Sequence, residues 1–180
     1  MANLQQYPAH ICLTVAAVLI QKDKVLLVKH KKLGIWLSPG GHIEANEMPH
    51  RAAEREYFEE TNIRVKALDW QKVTSDPDSE YLPNPVSTNL HWVSEENYAS
   101  RQADPEHYQP LPQWKRGCEQ HLNFLYVVEP VDSVEFTQNF EETDGIEWFD
   151  LNKLATYELK ANIKTDLQNA WKVSKAYAKK

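Results

Sequence analysis

Two apolar runs open the chain. Residues 11–20 and 25–30 are dense in Val, Leu and Ile and are parted by the polar Gln21-Lys22-Asp23-Lys24. Short β-branched runs around a charged break predict a hairpin of two buried strands. The stretch LGIWLSPGGHIE (33–44) follows, a short strand that breaks into a Pro-Gly-Gly turn. Past that turn the pattern becomes helical. Asn46 is a good N-cap, Pro49 falls in the first turn where its missing N–H does no harm, and Ala52 and Ala53 are strong helix formers. Residues 64–74 alternate weakly, as a strand returning from that helix would.

The segment 76–118 differs in kind, holding most of the ten prolines and no sustained periodicity. It reads as a long insertion loop, and loops of that length inside a compact domain usually carry function or disorder. HLNFLYVVE (121–129) is a strand and GIEWF (145–149) a shorter one. From about residue 151 the chain reads as helix. Leu151 and Leu154 open it, Leu159, Ile163, Leu167 and Trp171 continue at four-residue intervals, and Lys175, Lys179 and Lys180 suit the negative end of its dipole. Its apolar stripe packs on a sheet or meets a second copy. Strands on both sides of one helix, closed by another, predict a mixed sheet between helices.

Composition narrows the class. At 180 residues with 42% hydrophobic, the chain fits one domain with a substantial core. A net charge of −6 argues against a general binder of nucleic-acid backbones and a stable nucleic-acid partner. Cys12 and Cys118 show no ligand spacing and are expected as reduced thiols, Cys12 in the core. ICLTVAAVLI is too short to cross a bilayer and lacks a basic lead-in. The expectation is a cytoplasmic protein without membrane contact.

Chemistry concentrates on the first helix. At about 100° per residue, Glu56, Glu59 and Glu60 fall within roughly 100° of one another, near the negative helix end. Repulsion and dipole each disfavour this by a few tenths of a kcal/mol or somewhat more, so a cation is expected on the cluster. A solvated acidic face is the ordinary alternative, and the wider spacing decides between them. Gly41, Glu47, Arg55, Glu56, Glu59 and Glu60 are six specified positions in GHIEANEMPHRAAEREYFEETNI. At about one in fifteen each, they match by chance on the order of once in ten million starting points. The pattern is the Nudix box, and the chain resembles a Nudix (MutT-like) hydrolase. Asn62 stands where the family has Gly, and Tyr57 where it has an aliphatic residue. Neither departure touches the carboxylates.

The resemblance implies an α/β fold, an α/β/α sandwich with a central mixed β-sheet, as a single domain over 1–180. It implies Mg²⁺ or Mn²⁺ on Glu56, Glu59 and Glu60, joined by the backbone at Gly40-Gly41; oxygen ligands without soft donors select such hard cations. Arg55 would hold a ligand Glu in place, and Glu47 would support the site or act as an outer ligand. Glu142, in the loop with Glu141 and Asp144, would add a further carboxylate. The general base is not assigned among them.

Substrate contacts are open at several positions. His42 touches phosphate or bonds its own loop, and Lys31, with Lys29, His30 and Lys32, meets phosphate or forms a solvated basic turn. Tyr81 and Trp92, with Tyr98, Tyr108, Trp114, His91, His107, Arg101, Lys115 and Arg116, stack a base and bind phosphate, or form the segment's own small core. The implied activity is metal-dependent hydrolysis of a pyrophosphate bond in a nucleoside diphosphate linked to another moiety, a small-molecule diphosphate. A non-catalytic module binding a phosphate ligand is the alternative. Isomerisation of an isoprenoid diphosphate would want a Cys and Glu pair that is not evident. Family members often form homodimers.

Overall fold

The computed structural model describes residues 9–71, 76–107 and 117–178. The chain runs β1 (Ile11–Gln21), β2 (Lys24–His30), β3 (Trp36–Leu37), β4 (Gly40–His42), α1 (Pro49–Thr61), β5 (Val65–Ala67), β6 (Ser87–Trp92), α2 (Glu95–Ala103), β7 (Gln120–Pro130) and β8 (Thr143–Asp150). A 3₁₀ turn (Leu151–Thr156) and α3 (Ala161–Tyr177) close it. β1 and β7 lie parallel from Ile11↔Gln120 to Leu19↔Val128, and the remaining pairings are antiparallel, so the sheet is mixed.

Side-chain alternation along β1 sorts the core into two layers. Val15, Ala17 and Leu19 join Ala52, Ala53 and Tyr57 of α1. Val18 points the other way and meets Leu125, Val127, Leu154, Leu167 and Ala170 on the α3 side. The result is the expected α/β/α sandwich. Ala52 and Ala53 are fully buried, which brings α1 close to the strands it serves. Among the described residues, no helix is long and apolar enough to cross a membrane.

Several expectations need correction. The β1–β2 hairpin pairs only at Ile20↔Val25 and Gln21↔Lys24. Beyond the turn, β1 turns to β4 and β7 while β2 pairs with β3 and β8. Asn46 is no N-cap: its φ of 64° is left-handed, whereas a capping residue needs extended backbone. It sits instead in the turn closed by Glu47 N–H to the Glu44 carbonyl at 3.2 Å, and Met48 occupies the cap, with Pro49 first in the helix. Asn62 ends α1 as expected, left-handed at φ 59°, its N–H on the Phe58 carbonyl.

The segment read as an insertion loop contains β6 and α2. β6 pairs with β7 from Ser87↔Leu125 to Trp92↔Gln120. α2 is capped by the Ser94 hydroxyl, which accepts from Asn97 N–H. Arg101 anchors it through an ion pair to the buried Glu119, 2.7 Å. The terminal helix is likewise broken: residues 157–160 separate the 3₁₀ turn from α3, so Leu159 lies outside the helix it was expected to help form. Lys179 and Lys180 lie outside the described residues, as do Tyr108, Trp114, Lys115 and Arg116. Finally, Cys12 and Cys118 are joined as a disulfide across 106 residues, Cα–Cα 5.7 Å, where free thiols were expected. The parallel pairing of β1 with β7 brings them together, a proximity no sequence spacing reveals.

Candidate active site

β4 is the strand against which α1 sets its acidic face. Val15↔Gly41 and Ala16↔Gly40 pair across β1–β4. A side chain on Gly40 would collide with the backbone at Val15 and Ala16, and one on Gly41 would occupy the Glu56 carboxylate. Both positions therefore need glycine for close approach rather than for unusual dihedrals.

On the other side of that gap, Arg55 uses its guanidinium as a hub. Nε and Nη2 donate to the two oxygens of Glu47, each at 2.8 Å. Nη1 donates to Glu56 at 2.8 Å and Glu59 at 3.0 Å, and Nη2 also reaches the His42 carbonyl at 3.1 Å. The hydrogen bond to Glu47 is the main cause of the raised Arg55 pKa, and the same bond holds Glu47 below the usual carboxylate range. Glu47 in turn accepts from Glu44 N–H, 3.0 Å, which ties the turn before α1 to the helix.

Glu56, Glu60 and Glu142 each offer an oxygen such that all three lie within 4.8 Å of one another. Glu60 is buried, 5% exposed, and its Oε2 has no hydrogen-bond partner among the described residues. Burial first, then Glu56 and Glu142, push its pKa up to about 9, against a hydrogen bond from the Gly40 backbone. Glu56 is also raised, chiefly by burial, with Arg55 opposing. Glu142 is brought in by its loop: Asn139 binds the Glu59 carbonyl through Nδ2 at 3.1 Å and the Glu60 carbonyl through its N–H. Glu59 stands outside the trio, exposed and held by Arg55.

The other candidates separate from this cluster. Lys31 is exposed, and its Nζ donates to the Phe140 carbonyl at 2.9 Å, two residues from Glu142. Adjacent β4 residues face opposite sides, so the His42 ring projects away from Glu56; its Nε2 lies 3.3 Å from Cys118 Sγ. Trp92 packs against Tyr98 of α2, ring centroids 5.6 Å apart, with its buried Nε1 finding no hydrogen-bond partner among the described residues. Tyr81 is 54% exposed.

Sequence reading passed over a polar strip on the α3 face. Ser87 and Asn89 donate to Asp166 of α3 at 3.1 and 3.4 Å, beside a cavity of about 340 Å³ that His91, Asn162 and Thr165 also line. The alternation Ser87, Asn89, His91 was its signal in the sequence, hidden because only Leu90 between them is apolar.

The chain matches the NUDIX domain over residues 11–169 and belongs to that family. It is 38% identical over 60 residues to a MutT-like protein of Streptomyces ambofaciens, covering 33% of this chain and 38% of that one. It is 31% identical over 121 residues to the NAD-capped RNA hydrolase NudC of Edwardsiella ictaluri, covering 61% of this chain and 44% of that protein. The chain thus spans less than half the length of either relative. Among solved structures, a NUDIX-family hydrolase from Clostridium perfringens superposes with a TM-score of 0.63 at 26% identity, covering 88% of this chain and 94% of that one.

Proposed function

We propose that this chain is a metal-dependent pyrophosphohydrolase acting on a small-molecule diphosphate, a nucleoside diphosphate linked to another moiety. The observation that carries the reading is the trio Glu56, Glu60 and Glu142, with the buried, unpartnered Glu60 Oε2 at its centre. A lone carboxylate in that position is poorly accommodated, and an all-oxygen donor set of this kind suits Mg²⁺ or Mn²⁺. These three residues would hold the cation, with the Gly41 backbone beside them. When bound, such an ion neutralises charge on the diphosphate and lowers the pKa of water.

The chain's own residues do the rest. Gly40 and Gly41 let the β4 backbone lie directly against β1 and the Glu56 carboxylate. Arg55 keeps Glu56 in its rotamer and Glu47 braces Arg55, a positioning role rather than contact with substrate. Glu59, outside the trio, is exposed to water. Lys31, tied through the Phe140 carbonyl to the loop that carries Glu142, is the candidate contact for the far phosphate. The group linked to the diphosphate is read elsewhere, by side chains of the α3 face or the 76–118 segment.

The test is phosphate or nucleoside-monophosphate release from a panel of dinucleoside polyphosphates, nucleotide sugars and nucleoside triphosphates, with Mg²⁺ and with Mn²⁺. Activity on some member that vanishes with chelator and in Glu56→Gln supports the reading. No cation-dependent cleavage anywhere in the panel, or full activity in the variant, overturns it.

A further inference from the structure

Gly41 and His42 stand back to back on β4. The first meets Glu56; the second presents its ring to the opposite face of the sheet, where Cys12 at the start of β1 and Cys118 just before β7 converge. Their two sulfurs and the His42 ring nitrogen all lie within 4.8 Å of one another. Cys118 is 3% exposed, and the His121 ring packs edge-on against His42 at 5.1 Å between centroids, limiting where that imidazole can turn.

We propose that, once the disulfide is reduced, Cys12, Cys118 and His42 bind a soft divalent cation of the zinc type, at a site separate from the carboxylates. The donor set differs in kind from the catalytic one. Two thiolates and an imidazole strongly favour zinc over magnesium, whereas three carboxylates suit magnesium or manganese. The 3.3 Å between His42 Nε2 and Cys118 Sγ already fits, since ligand bonds of about 2.0–2.3 Å in tetrahedral geometry put donor atoms roughly 3.3–3.8 Å apart. Only a small outward movement of the two sulfurs is needed after reduction. The donors come from three different places in the chain, which is why no Cys-x-x-Cys spacing announces them.

The two states exclude each other. A dithiol reductant delivers two electrons and two protons, ending as its own cyclic disulfide and leaving two cysteine thiols. The cation then displaces both thiol protons to solvent and takes the thiolates and the neutral imidazole as ligands, leaving a fourth position for water. In the oxidised form neither sulfur has the negative charge to hold it. The reducing compartment expected from the sequence would favour the cation-binding form. Both sites share β4, because the His42 carbonyl accepts from Arg55 while its ring faces the cysteines.

Cobalt(II) serves as the spectroscopic probe. The full chain is reduced with a dithiol, freed of it without air, and titrated with Co²⁺. A near-ultraviolet thiolate-to-cobalt band and intense visible bands of tetrahedral cobalt are expected, saturating at one ion per chain and erased by Zn²⁺. They should be absent from the oxidised chain and from Cys118→Ser, and retained in Glu60→Gln. Should Cys118→Ser fail to fold, zinc protection of both thiols from alkylation, read by mass spectrometry on the unmodified sequence, replaces it. A folded, reduced chain with no thiolate band overturns the proposal. So does alkylation of Cys12 and Cys118 at the same rate with and without zinc. Neither result bears on the carboxylate site, whose failure would show in magnesium-dependent turnover instead.

Discussion

Arg55 grips Glu47 with a two-pronged hold, Nε on Oε1 and Nη2 on Oε2, both at 2.8 Å. The remaining guanidinium protons reach Glu56, Glu59 and the His42 carbonyl, so one side chain aligns the turn, the helix and β4. Lysine has the charge without the fork. Arg55→Lys is therefore expected to weaken the apparent affinity for Mg²⁺ and the turnover by about 10–100-fold, the usual effect of losing a residue that orients ligands. Metal titrations of activity check this, with melting temperature as the control. A variant whose magnesium dependence is unchanged would make the grip merely structural.

The carboxylate trio carries an electrostatic penalty that the cation relieves. Glu60→Gln removes the buried carboxyl whose pKa is pushed up to about 9 and leaves an uncharged side chain of equal size. In chelator, this variant is expected to melt higher than the parent. With Mg²⁺ added, the parent gains stability and the variant gains little, because only the parent binds the ion. Differential scanning fluorimetry across a magnesium series decides. Equal magnesium-induced shifts in both proteins would remove Glu60 from the ligand set.

His121 makes acid sensitivity predictable. Burial first, then the neighbouring His91 and His42, depress its pKa from 6.5 to about 4. Above pH 6.5 the ring is neutral in folded and unfolded chains alike, and its contribution is fully present. As pH falls from 6.5 to about 4, the unfolded chain takes up a proton that the folded one refuses, so stability is lost over that window. One such group changes stability by up to about 1.4 kcal/mol per pH unit, or roughly 3 kcal/mol in all. Urea midpoints of the disulfide-intact protein at pH 7 and pH 4.5 measure it. His121→Gln should flatten the drop, and an unchanged slope would assign the acid sensitivity elsewhere.

The left-handed stop at Asn62 is a further checkpoint. Alanine at φ 59° is strained by about 1–2 kcal/mol, whereas glycine, the residue the family uses here, is not. Asn62→Ala is expected to lower the urea midpoint, and Asn62→Gly to leave it equal or higher. The reverse order would mean that the Asn62 side chain matters more than its backbone.

Much of the scaffold was legible where one residue type repeats with one period. β1 and β7 announce themselves by apolar runs, and α1 by alanines followed by the Arg-Glu-x-x-Glu-Glu spacing. β6 escaped because Ser87–Trp92 has polar residues on the face toward α3, where Asp166 satisfies them. α2 was hidden by its polar composition, with Asn97 its buried residue. Asn46 misled because the same residue type suits a cap and a left-handed turn, and only the backbone distinguishes them. The approach of Cys12, Cys118 and His42 depends on strand pairing across about a hundred residues, which local pattern does not encode. For the acidic cluster, spacing within α1 placed Glu56 and Glu60 on one face. The arrival of Glu142, and the diversion of Glu59 toward Arg55, needed the fold.

The central claim is that Glu56, Glu60 and Glu142 hold a hard divalent cation. Manganese binding followed by electron paramagnetic resonance tests it most directly, since free Mn²⁺ gives a sharp signal that binding removes. The full chain, disulfide intact, is predicted to take up Mn²⁺ in competition with Mg²⁺. The folded double variant Glu56→Gln/Glu60→Gln should bind it at least about tenfold more weakly. Manganese bound equally well by both proteins, or by neither, would contradict the account.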